Sequence, residues 1–99
     1  MKVVFLDRQT FSTSISILAL AQVSSEFIAY PLTNSISDIV KRCTDADVII
    51  TNKVLINSQI ITQLPRLKLI CVAATGYNNV DICSAQSHGI AVTNVAGYT

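Results

Sequence analysis

The sequence predicts an α/β fold: a parallel five-stranded sheet in the order 2-1-3-4-5, with helices on both faces and an incomplete carboxyl-terminal end. Three observations predict it. Short solid apolar runs, such as Val3-Val4-Phe5-Leu6 and Val48-Ile49-Ile50, lack the polar alternation of a one-sided sheet and read as strands buried on both faces. Helix-period stretches separate the runs, and that alternation requires crossovers that return over a face with one hand. The composition agrees, with 51% hydrophobic and only 13% charged residues, about half the usual charged share.

The first strand is Val3–Leu6, ended by Asp7. Ser14 to Gln22 follows as a helix that is apolar nearly all round and weakly phased. Glu26 to Tyr30 is the second strand, closed by Pro31, which cannot donate to a ladder. Ile36, Ile39, Val40 and Cys43 then fall at i, i+3, i+4 and i+7, the stripe of a helix lying on a sheet. Asn34 or Ser35 can cap it, and Asp38 in its first turn suits the helix dipole. Asp47–Thr51 is the third strand, with Asn52-Lys53 as its exit. Asn57 caps a helix that turns Ile60, Ile61 and Leu64 inward and is stopped by Pro65. Leu67–Ala73 is the fourth strand. Asp81 is the N-cap of the next helix, with Val80 and Ala85 as its hydrophobic staple, and Gly89 closes it at C′. Ile90–Thr93 is the fifth strand and Asn94–Thr99 an exit loop.

This arrangement is flavodoxin-like, and its ligand crevice is expected beyond the carboxyl ends of the strands. The turns 7–10, 51–54, 74–79 and 94–98 all belong to that rim. A helix should follow the fifth strand and none remains, so apolar surface is expected on one face and the chain looks cut rather than finished.

Several function classes are excluded by composition. A net charge near +1 without a lysine or arginine cluster argues against nucleic acid as a partner. No apolar run approaches the ~20 residues that span a bilayer, so no membrane partner is expected. Ile15–Ala21 is short for a signal core, and the strand before it and Asp7 in its flank argue against a secretory signal. Cys43, Cys71 and Cys83 are odd in number and lack metal spacing, as expected of reduced thiols in a cytoplasmic protein.

The stretch Leu69–Ala73 running into Ala74-Thr75-Gly76 and then Asp81 is the richest in chemistry. A turn at the carboxyl end of a strand can present consecutive backbone N–H groups to a small anion. Gly76 serves either close backbone approach to a ligand or a left-handed turn, and the residues alone leave both open. Lys53 can counter a substrate's negative charge, although a loop lysine is usually just solvated. His88, the only histidine, sits before the capping glycine at the wrong end of the sheet for the crevice, and reads as structural. Asp7 invites comparison with phospho-accepting receivers. Those would need an aspartate after strand three and a lysine after strand five, where Thr51-Asn52 and Thr93-Asn94 stand instead. Cys71 and Cys43 read as inert core, and Cys83 as core or indifferent surface. Tyr77 and Tyr98 could line a cleft or cover the sheet.

Residues 64–81, Leu-Pro-Arg-Leu-Lys-Leu-Ile-Cys-Val-Ala-Ala-Thr-Gly-Tyr-Asn-Asn-Val-Asp, together with Gly89-Ile90-Ala91-Val92-Thr93-Asn94-Val95-Ala96-Gly97-Tyr98, resemble the D-isomer-specific 2-hydroxyacid dehydrogenases. The Ala-Ala-Thr-Gly turn with Asn-Asn-Val-Asp looks most like the glycerate dehydrogenase/hydroxypyruvate reductase branch. Over residues 1–63 only element order and Thr51-Asn52-Lys53 agree. The resemblance implies that 1–99 is the amino-terminal part of a substrate-binding domain, with the nucleotide-binding domain absent. It also implies that amides at Ala74, Thr75 and Gly76 hold a 2-hydroxy or 2-oxo acid carboxylate, with Asn52 and Lys53 at the cleft mouth. Tyr98 and Thr99 match the crossover, where serine is usual at 99.

NAD or NADP serves the full-length family enzyme, and neither is expected on this chain. Gly76, Gly89 and Gly97 are too widely spaced for a Gly-x-Gly-x-x-Gly loop, and the catalytic arginine, glutamate and histidine have no counterpart here. The first expectation is therefore a dehydrogenase substrate domain, inactive alone and completed by the missing domain. The alternative is a non-catalytic module from a truncated gene that self-associates as a homo-oligomer through its uncovered face.

Overall fold

A computed structural model describes residues 1–7, 25–33, 35–72 and 79–94. Its strands are β1 (Lys2–Phe5), β2 (Glu26–Ala29), β3 (Val48–Thr51), β4 (Leu69–Val72) and β5 (Ala91–Asn94), and its helices are α1 (Ile36–Cys43), α2 (Ser58–Ile61) and α3 (Ile82–Ser87). The sheet runs β2-β1-β3-β4-β5, the expected order, and every pairing is parallel. Register places Val4 beside Ile49, Ile49 beside Ile70 and Ile70 beside Val92, so these residues share one face. Val3, Phe5, Val48, Ile50, Leu69 and Cys71 share the other.

Each face carries a core. Val4, Leu6, Ile49, Ile70 and Val72 pack with Ile39 and Cys43 of α1, Ile60 and Ile61 of α2, and Ala85 of α3. The three connections that carry these helices run in one direction across the sheet, so a uniform hand puts all three on one face. On the opposite face Val3, Phe5, Val48, Ile50 and Cys71 are buried, with Phe27 and Leu69 packed against them. The helix expected over Ser14–Gln22 lies outside the described residues. Among the described residues of β5, Ala91 is exposed and Thr93 half-buried. The exposed large apolar side chains among the described residues are Met1, Leu32, Ile36 and Leu55.

Local signals set the helix ends. Ser35, not Asn34, caps α1: its hydroxyl accepts from the Asp38 amide at 3.1 Å. The Asn57 side chain accepts from the Ile60 amide at 3.1 Å, and Asp81 accepts from the Ser84 amide at 3.0 Å. Gly89 adopts φ +73°, while the Ile90 amide donates to the Ala85 carbonyl at 2.8 Å and the Gly89 amide to Gln86 at 3.1 Å. This is a Schellman closure, and the left-handed residue explains the glycine.

Several boundaries differ from the sequence reading. Helix α2 ends at Ile61, capped by Thr62, so Pro65 does not stop it. The Thr62 hydroxyl donates to Gln59 at 3.1 Å and the Leu64 amide to Ile61 at 3.2 Å, and these bonds tighten the chain before the proline. Leu64 is nonetheless buried as expected. Strands β1 and β5 are shifted by one residue, β2 ends one residue earlier, and β3 and β4 begin one and two residues later than expected, all within ordinary end fraying.

Candidate functional site

Parallel strands deliver their exits to one end of the sheet, and the order reverses between β1 and β3, the usual crevice position in open α/β sheets. A cleft of about 360 Å³ opens there. Asp7 from the end of β1, Thr33 and Ser35 ahead of α1, and Lys53 beyond β3 supply its polar lining. Ile39 and Ile60 are its buried apolar lining, and Leu32, Ile36 and Leu55 are half-exposed around it.

Asp7 is only 2% exposed. Its two carboxylate oxygens accept the backbone amides of Asn52 at 2.8 Å and Lys53 at 2.6 Å. A buried carboxylate is tolerated where hydrogen bonds replace its water, and the first two residues after β3 provide them. These amides are thereby engaged, so Lys53 can meet a ligand through its side chain but not through this donor.

The same loop is closed on its other side. Thr51 is fully buried; its hydroxyl donates to the Val54 carbonyl and accepts the Val54 amide, both at 3.1 Å. The Asn79 side-chain amide donates to the Val54 carbonyl at 2.9 Å and approaches the Thr51 hydroxyl at 3.5 Å. An isolated parallel bridge joins Ile56 to Val80: the Ile56 amide donates to Asn79 at 2.7 Å and the Asp81 amide to Ile56 at 2.9 Å. The β3 exit and the chain entering α3 are therefore one hydrogen-bonded unit.

The wall from β2 is buttressed separately. Thr33 donates to the Leu6 carbonyl at 2.8 Å and accepts from Arg42 Nη1 at 2.7 Å, which also donates to Leu32 at 2.8 Å. The Arg42 guanidinium lies 4.1 Å from the Tyr30 ring centroid, a cation–π contact.

Of the residues singled out in the sequence, Lys53 lines this cleft and Asn52 precedes it in the β3 exit. Ala74, Thr75, Gly76, Tyr77, Gly97 and Tyr98 lie outside the described residues. His88 is at the C-cap of α3, its Nδ1 lying 2.9 Å from the Ser84 carbonyl, a structural contact. Cys43 and Cys71 are buried, and burial pushes their thiols up to about 12 and about 11. Cys83 is exposed. At the amino end of the strands the Lys2 ammonium, 2.7 Å from Asp45, holds that carboxyl below its ordinary range and is itself raised. The Lys2 backbone amide does the same for Asp47 at 2.9 Å.

Sequence reasoning missed the parts played by Asp7 and Asn79. The signal for Asp7 was an aspartate ending a strand that neighbours β3. The signal for Asn79 was an asparagine two residues ahead of an N-cap. No group of three or more metal-ligating side chains occurs among the described residues, and no helix among them is long and apolar enough to cross a membrane.

Residues 4–99 match the family described as D-isomer specific 2-hydroxyacid dehydrogenase, catalytic domain. The chain belongs to this family. A Haemophilus influenzae protein whose name places it among the 2-hydroxyacid dehydrogenases is 43% identical over 99 residues, covering 100% of this chain and 31% of that protein. Glycerate dehydrogenase of Methylorubrum extorquens is 38% identical over 97 residues, covering 98% of this chain and 30% of that enzyme. Among solved structures, the NAD-dependent formate dehydrogenase of Staphylococcus aureus in complex with NAD superposes with a TM-score of 0.75 at 29% identity, covering 98% of this chain and 32% of that one. The chain thus spans about three-tenths of the length of the relatives it matches.

The family's dinucleotide does not fit the residues present. Gly89, the glycine among the described residues, closes a helix at the amino end of β5. The 99 residues contain no Gly-x-Gly-x-x-Gly run to cradle a pyrophosphate.

Proposed function

We propose that this chain is the substrate-binding part of a cytoplasmic NAD(P)-dependent D-2-hydroxyacid dehydrogenase that acts on a small acid of the glycerate and hydroxypyruvate type. Residues 1–99 form the amino-terminal portion of its substrate domain. The backbone amides of Ala74, Thr75 and Gly76 receive the carboxylate, and Asn52 and Lys53 present their side chains at the same rim. In the whole enzyme the dinucleotide that would supply the hydride chemistry, the polarising arginine and the acid/base pair would be held by the remaining length. This chain's own contribution is orientation: main-chain donors and an ammonium hold the acid so that C2 faces the partner domain.

The observation that carries this reading is the family match through residue 99, combined with a β3 exit held rigidly at the switch point. The test uses the purified chain. Titration with D-glycerate or hydroxypyruvate is expected to shift the amide resonances of Thr75, Gly76 and Lys53. Reductase turnover is expected only after the complementary length of the Methylorubrum glycerate dehydrogenase is added. Shifts confined to other regions, or turnover by the chain alone, would overturn the reading.

Leu32, Ile36 and Leu55, exposed at 45%, 41% and 57%, favour a second reading, a non-catalytic homo-oligomer that covers this apolar rim with a second copy. Light scattering that returns a monomer at high concentration removes it.

A further inference from the structure

We propose that Asn79 is a positioning residue for the β3 exit: its side-chain amide helps set the height and orientation of the loop that presents Lys53 to the cleft. The loop is gripped from two sides. Asp7 draws the Asn52 and Lys53 amides down toward the end of β1 at 2.8 and 2.6 Å. Asn79 holds the Val54 carbonyl from the opposite strand exit at 2.9 Å and reaches the Thr51 hydroxyl at 3.5 Å.

Neither grip alone fixes the loop. Within it the Thr51 hydroxyl already holds the Val54 amide and carbonyl, both at 3.1 Å. Without Asn79 the loop therefore keeps that closure but loses its side-chain tie to the chain entering α3; without Asp7, Asn52 and Lys53 can lift from the sheet. With the Thr51 closure between them the two grips fix successive peptide units at 52, 53 and 54, and so the direction in which the Lys53 side chain leaves the backbone. The bridge between Ile56 and Val80 is made by main-chain groups, which any residue at position 79 can offer. The Asn79 side chain is therefore not required to tie the two segments together; what it adds is a second, shorter donor to the Val54 carbonyl beside the Thr51 hydroxyl, referencing that peptide to the chain entering α3. This inference rests on the proposed role of Lys53 at the substrate rim for its consequence, but not for its mechanics.

Asn79→Asp tests it in the 99-residue chain. The replacement has nearly the same shape but, ionised, offers the Val54 carbonyl no donor. Asn79→Ala is the companion in case the carboxylate disturbs folding, and core amides in β1 and β3 report that each variant is folded. Two readouts are taken: the amide resonances of Asn52 and Lys53 without ligand, and the affinity for D-glycerate by titration. Expected are displaced Asn52 and Lys53 resonances and D-glycerate binding about fivefold weaker in both variants, the loss of one hydrogen bond's ordering effect. Unmoved Asn52 and Lys53 resonances overturn the proposal. So does unchanged affinity with a lowered melting temperature, since that would mark a purely structural link. Displaced resonances in a chain whose unsubstituted form does not answer D-glycerate would support loop positioning while removing the proposed substrate.

Discussion

Replacing Asp7 by alanine should be the most damaging polar substitution at the cleft. The carboxylate is 2% exposed and accepts from two amides at 2.8 and 2.6 Å. A hydrogen bond to a charged group contributes about 1.5–3 kcal/mol, so loss of the pair could reach about 6 kcal/mol if both donors stayed dry. They do not, because Asn52 is half-buried and Lys53 exposed, and water can reach at least one amide once the side chain is gone. A net cost of about 2–4 kcal/mol follows, a large share of the ~5–15 kcal/mol that holds a domain of this size together. At about 4–8 °C per kcal/mol the melting temperature should fall by roughly 8–30 °C. Asp7→Asn should fall between, since it keeps one acceptor and turns an N–H toward the second donor. Urea unfolding followed by far-UV circular dichroism measures all three proteins, which have no tryptophan to serve as a probe. A loss below about 0.5 kcal/mol in the alanine variant, the size of an ordinary surface substitution, would refute the assignment of Asp7 as the anchor of the β3 exit.

Thiol chemistry should separate the cysteines: one equivalent per chain, at exposed Cys83, reacts in the native state near pH 8, because Cys43 and Cys71 are buried and pushed up to about 12 and about 11. Mass spectrometry after brief alkylation checks this, and rapid labelling of Cys43 or Cys71 in folded protein would contradict it. Asp45 and Asp47 are held low in the folded state by Lys2, so their stabilising contribution is present above the ordinary carboxylate range and lost as pH falls through their lowered folded values. Lys2→Met should therefore flatten the acid limb of a urea-midpoint profile, through loss of the Asp45 partner. Gly89→Ala meets no atom within 4 Å but must keep φ +73°, so it should cost about 1–2 kcal/mol of left-handed strain without altering ligand response; a neutral result in thermal unfolding would argue that the α3 closure relaxes.

The sheet was legible because its rules are local or topological. Solid runs such as Val48-Ile49-Ile50 mark doubly buried strands, and a uniform crossover hand leaves few orders open. Asn57, Asp81 and Gly89 were legible as caps because a cap is decided by residues within one turn of it. Pro65 misled for a related reason. A proline forbids a helix through itself but does not say how far upstream the helix ends, and here the Thr62 turn closes it first. At the site, Asn52 and Lys53 could be placed simply as the exit of a strand. What holds them could not, since the Asp7 contacts join residues 45 and 46 positions apart. They depend on β1 and β3 being neighbours in a particular register. Asn79 is legible only once the bridge from Ile56 to Val80 is known.

The engagement of the Asn52 and Lys53 amides also decides where a carboxylate can be held in the proposed reading. A rim that donates main-chain N–H groups to an anion must leave them unclaimed, and the β3 exit gives these two to Asp7. Placed against those same donors, a substrate carboxylate would face the carboxylate of Asp7 across a few ångströms, at a cost that low local dielectric enlarges. In the proposed reading the main-chain grip is therefore assigned to Ala74, Thr75 and Gly76, with the β3 exit contributing the Lys53 ammonium as a longer-range attraction. Lys53→Met should accordingly weaken D-glycerate binding by a few-fold, and less as salt is raised, because an exposed charge is screened over about 10 Å at 0.1 M. The Thr75 and Gly76 amide shifts should persist at saturation. If they vanish with the ammonium while the fold is intact, Lys53 is the anchor and the division of roles between the two exits is the reverse of the one argued.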